Sequence, residues 1–508
     1  MGVFTSIKNK LEKASNKIDH HHDQGITLSI TRPNLTTIDE RVIYRNRYNC
    51  GVNLGSLFVL EKWIYDSLFT EASGTDTEFD AVLRCMESKG VGETSRLLMS
   101  HYRAYIDKID WEWLRSAGGR GATTALRVPI GYWHVNNGEF LSGGLPFEPL
   151  REVYKGCKPW DFLKQLIQKA REFHIGVLID IHGLPGGANG EGHSGMKNER
   201  PIFFENEKFV SKMTDEIIPF IVQDICIPNV NVIGLQVVNE AAFSEHAEGQ
   251  KAYYLKAIGA VNRLDPNLPV VISDGWWPDQ WADWVSQNGL DTIVVIDSHV
   301  YRCFSDKDKS KNADQIIQDL PQEIQFPRDK ADFVVGEFSC VLDQQTWNRT
   351  PSGPRERYVQ QYGLVQTSTF SQVASWGWFF WTLQFKYGDG GEWGFVPVTN
   401  GESLKWPDRS IDTEIPETDI TRIINEHIDY WKDKGGDNFE HWRYEDGLRS
   451  AVRDIQEFRK FDGSRLGRWH TWFTLRREEY LREKGDSQYM WEWDQGYQRA
   501  ISEFNKLG

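Results

Sequence analysis

The sequence predicts an α/β protein, a (β/α)8 TIM barrel with an N-terminal helical tail and a Trp-rich helical C-terminal extension. Two observations support this prediction: eight short apolar runs recur along the 508 residues, and stretches with helical spacing fill most of the gaps between them. Eight strands joined by crossovers of this length fit a closed barrel better than an open doubly wound sheet.

The predicted strands begin after residue 40 and alternate with amphipathic helices. In the stretch after Trp160, for example, Phe162, Leu166 and Ala170 fall on one helical face. We therefore assign the tail to residues 1–40, the barrel to residues 41–460 and the extension to residues 461–508. The strands are residues 49–59, 122–130, 176–183, 232–240, 269–275, 293–301, 332–339 and 375–384.

The last hundred residues are charged and rich in Trp, and they contain a weak internal repeat. Residues 442–451 resemble residues 491–500, which lie 49 positions further on. Leu448, Val452 and Ile455 make one helix face, which we expect to belong to the helix that closes the barrel. The second copy is expected to pack on the body as an extension; a separate sugar-binding module is the alternative.

Composition excludes some classes of partner. The formal net charge of −15 argues against nucleic acid, because phosphate binding requires a positive surface. The 21 Trp residues suit a carbohydrate-binding protein, whose aromatic planes contact the apolar faces of sugar rings, but they suit a large core equally well. The six Cys residues contain no C-x-x-C pair, which favours buried free thiols over a metal or redox motif. We expect no cofactor.

The N-terminus bears on location. It lacks the apolar stretch of a secretory signal, and no later run approaches the roughly 18 apolar residues of a membrane span, so we expect a cytoplasmic protein. Residues 1–6 fit the pattern for N-myristoylation and are followed by Lys8, Lys10, Lys13 and Lys17. One acyl chain with basic residues would give weak membrane contact; a helix docked on the body is the alternative.

Two glutamates stand at the ends of predicted strands. Glu240 closes the run at residues 232–240, and Glu337 closes the run at residues 331–337. A carboxylate at the C-terminal end of a barrel strand lies where barrel enzymes place their catalytic groups. One such glutamate is most simply a residue facing water, but two on different strands are what glycoside hydrolysis requires.

Other polar and aromatic residues accompany the glutamates in a fixed order. Along the chain these are Arg127 on the second predicted strand, His182 on the third, Asn239 and Glu240 on the fourth, His299 and Tyr301 on the sixth, Glu337 on the seventh and Trp381 on the eighth. This order resembles glycoside hydrolase family 5, and residues 50–64 resemble the opening signature of its fungal exo-β-1,3-glucanase branch. The likeness spans residues 45–400 and implies a (β/α)8 retaining enzyme whose acid/base and nucleophile follow strands four and seven.

The resemblance implies a role for the charged residues of the set. Glu337 would attack the anomeric carbon, while Glu240 would protonate the leaving oxygen and then act as base. We expect Arg127 and Tyr301 to stabilise the ionised Glu337. We also expect the neighbouring carboxylate to raise the pKa of Glu240.

The remaining members of the set would contact the sugar. Asn239 would bind the sugar 2-OH, and Trp381 would form a platform beneath the ring. His182 and His299 are expected as polar partners in the same pocket. Either histidine alone is more often a satisfied core residue, and only its place in the ordered set favours the functional interpretation.

The outer subsites depart from the family pattern. By resemblance, Glu61 closes the non-reducing end and makes cleavage exo-acting, with Trp63 beside it as a substrate-binding residue. The branch usually carries an Asp that holds the terminal glucose where Gly192 stands here, so we expect a more open subsite with room for a substituted glucose. Phe304 and Trp347 would form walls on the leaving-group side or else pack in the ordinary way.

The sequence thus predicts a retaining β-glycosidase that hydrolyses β-glucosidic bonds by a two-glutamate double displacement, exo-acting on β-1,3-glucan fragments. A β-glucosidase for sterol or lipid glucosides, or a diglycosidase that releases a 6-O-substituted glucose, is the alternative within the enzyme class. An esterase lacks its Gly-x-Ser-x-Gly elbow, and a metal-dependent hydrolase lacks a convincing ligand set around His134, His182 and His193. A non-enzymatic carbohydrate-binding protein on a decayed barrel would have lost one of the pocket residues, and all are present.

Overall fold

Eight parallel strands close into a barrel in the order in which they occur along the chain. The computed structural model describes residues 30–69, 76–408, 413–435 and 438–506. The strands are β1 (Asn49–Asn53), β2 (Ala125–Gly131), β3 (Gly176–Gly183), β4 (Val232–Gln236), β5 (Val270–Ser273), β6 (Val294–Arg302), β7 (Asp332–Leu342) and β8 (Gly377–Phe380). The predicted fold class is confirmed.

Five strands (β1, β2, β4, β5 and β8) are shorter than the sequence predicts. β1 ends at Asn53, because the apolar residues at positions 54–60 are buried in a loop and not paired in the sheet. β4 ends at Gln236, since the chain turns away and reaches a left-handed conformation at Glu240 (φ 43°). Loop residues that are buried but not paired in the sheet therefore have the same apolar sequence pattern as strand residues.

Helices cover the outside of the barrel and fill the connections between its strands. They are α1 (Glu40–Asn46), α2 (Glu78–Asp107), α3 (Trp111–Ser116), α4 (Arg151–Cys157), α5 (Pro159–Glu172), α6 (Glu207–Ser211), α7 (Ile218–Ile221), α8 (Glu248–Leu264), α9 (Pro278–Gln287), α10 (Asp306–Lys309), α11 (Ala313–Glu323), α12 (Gln344–Arg349), α13 (Arg355–Val373) and α14 (Phe395–Asn400). Single π turns at Lys212–Ile217 and Val222–Cys226 flank α7.

The N-terminal end of the barrel is closed by side chains. Tyr44 of α1 packs against a layer of buried strand residues, and the indole Nε1 of Trp376 donates a 3.0 Å hydrogen bond to the carbonyl of Arg45. The strand residues of this layer are Ala125, Leu178, Ile233, Val271, Val295, Val334 and Phe379. This packing leaves the opposite end, where the strands reach their C-termini, as the open mouth.

The C-terminal helices form a unit around a second hydrophobic core, which they share with Leu35, Val42 and Ile43. They are α15 (Glu417–Lys432), α16 (His441–Lys460), α17 (Trp469–Lys484) and α18 (Met490–Phe504). Leu448, Val452 and Ile455 pack in this second core and not in the barrel core, because periodicity alone does not say which core an apolar face joins. The boundary that the sequence predicts after residue 460 falls between α16 and α17, inside this unit.

The internal repeat corresponds to two helices in direct contact. A Cβ added at Gly447 of α16 would lie 2.2 Å from the carbonyl oxygen of Trp493, and one at Gly496 of α18 would lie 2.1 Å from the carbonyl oxygen of Tyr444. Tyr444 and Gly447 hold the same places in the first copy as Trp493 and Gly496 hold in the second. The contact is therefore reciprocal, as across a two-fold axis.

A short segment attaches the helical unit to the N-terminal end of the barrel. Arg468 donates hydrogen bonds to the carbonyl of Thr292 (2.8 Å) and the side chain of Asn46 (3.2 Å). The backbone amides of His470 and Thr471 donate to the carboxylate of Asp332, at the start of β7 (3.1 and 3.2 Å). The unit therefore lies at the opposite end of the strands from the mouth.

Two further expectations concern parts of the chain away from the mouth. The six cysteines are buried and form no disulfide with one another, as expected. The predicted N-terminal helix and the myristoylation pattern lie at residues 1–29, outside the described residues. Among the helices of the described ranges, none combines the length and the apolar character needed to cross a bilayer.

Candidate active site

Arg127 organises a hydrogen-bonded network at the C-terminal end of the strands. The guanidinium, on β2, is fully buried. Its Nε donates to Gln236 Oε1 (3.0 Å), its Nη1 to Asn53 Oδ1 and Glu337 Oε1 (2.9 Å each), and its Nη2 to Asn239 Oδ1 (2.7 Å). These partners come from β1, β4, β7 and the loop after β4, so one side chain links opposite walls of the barrel.

Carboxylates compensate the buried charge of Arg127. Its Nη2 lies 3.1 Å from Asp180 Oδ2 and 3.7 Å from Asp297 Oδ2. Burial lowers the pKa of Arg127, but the charges of Asp180, Glu337 and Asp297 outweigh burial and raise this pKa above its ordinary value. The guanidinium therefore stays charged beside Glu337.

Strand register explains why residues so distant in sequence meet. Asn53 of β1 pairs with Arg127 of β2, and His299 of β6 pairs with Glu337 of β7. Side chains of paired residues on neighbouring strands point to the same face of the sheet. Register thus delivers both pairs to the barrel mouth together.

Glu337 is held by a donor at each of its oxygens. Arg127 binds Oε1, and the hydroxyl of Tyr301 donates to Oε2 (2.9 Å). The preceding residue must be a glycine, since a Cβ at Gly336 would lie 2.2 Å from Asp297 Oδ1, which accepts the Gly336 amide (2.7 Å). The Gly-Glu pair seen in the sequence thus reflects close approach of Asp297.

Glu240 contacts two histidines, one at each oxygen. Its Oε1 lies 2.7 Å from His299 Nδ1, and its Oε2 lies 3.1 Å from His193 Nε2. Asn189 Nδ2 donates to the main-chain carbonyl of Glu240 (2.9 Å), which helps to hold the left-handed backbone. A non-glycine residue in this conformation costs energy that the surrounding contacts must offset, a pattern common at functional sites.

His299 bridges the two glutamates. Its Nδ1 lies 2.7 Å from Glu240 and 3.5 Å from Glu337 Oε2, while its Nε2 lies 3.0 Å from Asp297 Oδ2. Burial lowers the pKa of His299, but Glu337 and Asp297 outweigh burial and raise this pKa well above its ordinary value. Since both ring nitrogens face carboxylates, His299 is an imidazolium that donates on both sides.

The expectation of a raised pKa for Glu240 is wrong. Burial does raise the pKa of this carboxyl, but His193 and His299 outweigh burial and hold it well below its ordinary range. The sequence argument counted only the neighbouring carboxylate, Glu337. It missed two imidazoles that sit closer to Glu240.

The two carboxylates have the separation of a double-displacement site. An oxygen of Glu240 and one of Glu337 lie within 4.8 Å of each other. Retaining glycosidases place their carboxyl groups about 5 Å apart, whereas inverting enzymes need a wider gap for water. With His299 these atoms are close enough to surround a metal ion, but Arg127 and the imidazolium already supply the compensating charge.

The predicted sugar-contacting residues lie beside the glutamates. His182 Nδ1 donates to Asp180 Oδ2 (2.7 Å), and Asn239 Nδ2 donates to His182 Nε2 (3.4 Å). Trp381, directly after β8, is buried and stacks parallel to His182 with ring centres 6.0 Å apart. His182, Asn239 and Trp381 are thus brought together, as the sequence predicts.

Glu61 and Trp63 meet at one edge of the mouth. The indole of Trp63 donates to Glu61 Oε2 (2.8 Å), and its ring contacts Trp393 edge-on (5.2 Å). Burial raises the pKa of Glu61 to about 7. At the same edge Phe304, 64% exposed, contacts the ring of Tyr301 (5.5 Å).

Two positions of the outer subsites have close neighbours. A Cβ at Gly192 would meet Thr77 Cγ2 at 3.4 Å and the carbonyl oxygen of Asp76 at 3.8 Å, both ordinary contact distances, and the more open subsite expected there stays a prediction. The guanidinium of Arg355 lies over the Trp347 ring at 4.3 Å. The ordinary-packing alternative therefore describes Trp347.

Several residues of the site were not singled out from the sequence. Asn53, Asp180 and Gln236 are fully buried polar residues within apolar strands, and that contrast was the available signal. His193 was considered only as a metal ligand, and Trp393 carried no recognisable signal. All five lie in or next to the network described above.

A closed barrel with paired carboxylates at this separation defines a retaining glycoside hydrolase. Residues 414–508 match the family described as the glucan 1,3-beta-glucosidase 3 C-terminal domain. A protein of Saccharomyces cerevisiae named as an uncharacterized glycosyl hydrolase is 53% identical over 512 residues, covering 99% of this chain and 100% of that one. Glucan 1,3-beta-glucosidase 3 of Schizosaccharomyces pombe is 31% identical over 473 residues, covering 92% of this chain and 96% of that one.

The chain belongs to glycoside hydrolase family 5, and fungal glucan 1,3-beta-glucosidases are among its relatives. It is a retaining β-glycosidase with a carbohydrate substrate. The fold is also that of the crystal structure of rutinosidase from Aspergillus niger, with a TM-score of 0.54 at 20% identity, covering 71% of this chain and 99% of that one.

Proposed function

We propose that Glu337 is the nucleophile and Glu240 the acid/base of this β-glycosidase. The observation that carries the proposal is the separation of their oxygens, within 4.8 Å, across the shared imidazole of His299. In the first step Glu337 would form a bond to the anomeric carbon while the leaving oxygen takes a proton from Glu240. In the second, Glu240 would take a proton from water, and the water oxygen would displace Glu337.

The supporting residues would act on charge and orientation. Arg127 and Tyr301 would keep Glu337 ionised and aimed, because each donates to a different oxygen of the carboxylate. Asn239, with its oxygen taken by Arg127, would offer its amide NH2 to the sugar 2-OH. His182 would fix the orientation of that amide.

For the substrate, we propose exo-acting hydrolysis of β-1,3-glucan fragments with release of glucose. Glu61 supports this proposal, since a buried carboxyl at the edge of the pocket can bind sugar hydroxyls and end the subsite. The relative from Schizosaccharomyces pombe is named as a glucan 1,3-beta-glucosidase and is aligned over nearly its whole length.

A second candidate is a β-glucosidase for glucosides with a large apolar aglycone, such as a sterol. Exposed aromatic rings around the mouth favour it: Trp63 is 49% exposed, Trp276 is 52% exposed and Phe304 is 64% exposed. Trp276 stands edge-on to His299 with ring centres 6.4 Å apart, which places it next to the glutamates. Exposed apolar patches of this kind commonly bind apolar ligands.

Product analysis by mass separates the candidates. The purified protein would be incubated with laminari-oligosaccharides, an aryl β-glucoside, a glucosyl-sterol and a 6-O-substituted glucoside, with Glu337→Gln as the blank. Glucose released one unit at a time from the oligosaccharides is the result expected for the exo-glucanase. Turnover of only the glucosyl-sterol would favour the second candidate, and release of an intact disaccharide would identify a diglycosidase. If none of the four substrates is hydrolysed, the proposed function is contradicted.

A further inference from the structure

His193 contacts the carboxylate oxygen of Glu240 that His299 does not contact. Its Nε2 lies 3.1 Å from Glu240 Oε2, whereas His299 Nδ1 takes Oε1 at 2.7 Å. Both carboxylate oxygens of the proposed acid/base therefore face an imidazole nitrogen. Of the two rings, His193 is the more exposed, with 26% of its side chain accessible against 4% for His299. His193 is thus the histidine on the side open to the pocket.

The loop that carries His193 is held in place on both sides. His193 sits in a single turn at Gly192–Ser194, and the hydroxyl of Ser194 donates to the carbonyl of Glu191 (2.8 Å). Gly195, next in the chain, lies against Trp133 so closely that a Cβ there would be 2.2 Å from the indole. The ring of His193 also meets the edge of His182 (5.6 Å between ring centres). These contacts fix the position of the His193 ring beside Glu240.

The groups that face His193 come from four walls of the barrel. The carboxylates are Glu240 after β4, Glu61 after β1 and Glu337 on β7, and the remaining neighbour is the ring of His182 on β3. Burial lowers the pKa of His193, but Glu240, Glu61 and Glu337 outweigh burial and raise this pKa to about 9. His299, by contrast, lies within 3.5 Å of two further carboxylates, those of Glu337 and Asp297, which hold its protons in place.

We infer that His193 is a positioning residue that stores the proton which Glu240 delivers to the leaving oxygen. The inference rests on the proposed function of Glu240. In the resting site the proton is on His193 Nε2 and Glu240 is a carboxylate. As the glycosidic bond breaks, the proton passes from Nε2 to Glu240 Oε2 and from the carboxyl to the leaving oxygen. In the second step Glu240 takes a proton from water and returns it to His193, so the cycle balances.

This arrangement explains how a carboxyl with a low pKa can act as a general acid. Because His193 and His299 hold its pKa well below the ordinary range, Glu240 is ionised at neutral pH and carries no proton of its own to give. Paired with His193, the two groups together hold one proton until the imidazolium itself loses it, so acid catalysis persists to higher pH. The pair, and not Glu240 by itself, sets the basic limb of the pH profile.

The kinetic test uses His193→Gln, which keeps an NH donor near Glu240 but cannot titrate, and His193→Asn, which removes the contact. kcat/KM is measured against pH with phenyl β-glucoside, whose leaving group needs a proton, and with 2,4-dinitrophenyl β-glucoside, whose leaving group does not. We expect the basic limb for phenyl β-glucoside to move down by at least about one pH unit in both variants, a roughly tenfold loss on that limb. The limb for the dinitrophenyl substrate should stay in place.

Two results would overturn the inference. If His193→Gln keeps the wild-type limb with phenyl β-glucoside, the residue only supplies a hydrogen bond. If both variants lose rate equally on the two substrates at every pH, its role is structural. His174→Gln, a histidine at the opposite end of the barrel strands, serves as the control that should change neither profile.

A direct titration is independent of turnover. In protein labelled with 15N-histidine, the imidazole signal of His193 should titrate near pH 9 and should move down by at least about one unit in Glu240→Gln, because the largest raising charge is lost. Titration of His193 near its ordinary pKa in the wild type would refute the proton store whatever the substrate is. Inactivity of the wild type on both glucosides, with the shifted titration intact, would instead point to a wrong substrate.

Discussion

Replacing each glutamate by its amide separates the two proposed catalytic roles. Glu337→Gln removes the nucleophile but keeps an oxygen to accept from Arg127 or Tyr301. We expect a loss on the order of 10⁵ or more in kcat/KM with every leaving group, about 7 kcal/mol of activation free energy, because a neutral amide cannot attack the anomeric carbon as a carboxylate does. The fold should survive, since Asp180 and Asp297 still compensate the charge of Arg127.

Glu240→Gln should depend on the leaving group. General acid catalysis contributes about 10² to 10⁴ in rate, or about 3–5 kcal/mol, to cleavage of a bond whose oxygen needs a proton. With 2,4-dinitrophenyl β-glucoside that contribution vanishes from the first step, so glycosylation should slow by less than about tenfold. Because the second step lacks its base, the glycosyl-enzyme should accumulate.

Stopped-flow release of dinitrophenolate and mass measurement of the intact protein check these outcomes. Glu240→Gln should give a burst of about one equivalent and a mass increase of one anhydroglucose unit, whereas Glu337→Gln should give neither. If the Glu337→Gln protein also becomes glycosylated, another residue is the nucleophile and the role proposed for Glu337 is wrong. An equal loss on dinitrophenyl and phenyl substrates in Glu240→Gln would remove Glu240 as acid.

Three further predictions concern stability. The pKa of Glu61 is about 7 in the folded protein against 4.5 ordinarily, so folding takes up a proton between these pH values and the free energy of unfolding falls as the pH rises from 4.5 to 7. In urea denaturation, Glu61→Gln should therefore be more stable than wild type at pH 8, by up to about 3 kcal/mol, and equal to it near pH 4. Arg127→Lys should lower the free energy of unfolding by about 2–5 kcal/mol in the same assay, since three ammonium donors cannot satisfy four buried acceptors. Gly496→Ala should lower the free energy of unfolding by about 1–3 kcal/mol, because the new Cβ would force α16 and α18 apart. Gly92→Ala is the control: Gly92 lies in an exposed turn of α2, no atom lies within 4 Å of its added Cβ, and the substitution should raise the free energy of unfolding by about 0.5–1 kcal/mol. A loss of stability at Gly92 as large as at Gly496 would contradict the packing argument.

The features that followed from the sequence are those that local pattern determines. Apolar runs located all eight strands, helical spacing located helices between them, and strand ends located Glu240 and Glu337. Side chains at the C-terminal ends of parallel strands lie at one end of the barrel, so their order along the chain was enough to expect His299 in the same pocket as Glu337.

The features that did not follow depend on contacts between distant segments. The pKa direction of Glu240 is set by His193, whose loop approaches from β3 and carries no pattern that announces the contact. Asn53 and Gln236 look like interruptions of apolar runs until Arg127 is seen to need their oxygens. The apolar face of α16 is equally amphipathic whether it joins the barrel core or the second core, so spacing could not assign it.

The attachment of the helical unit limits how the protein can be divided. Asp332, the first residue of β7, is fully buried, and its carboxylate accepts from the backbone of His470 and from both the backbone and hydroxyl of Thr471. A chain cut before α15 would remove these donors and would expose to water the apolar side chains that pack against the helices, among them Val42 and Ile43 of α1. Losses of this kind cost several kcal/mol, a large part of the stability of a typical domain. The helices cover the N-terminal end of the barrel, so we expect a catalytic fragment without them to be less stable than the full chain.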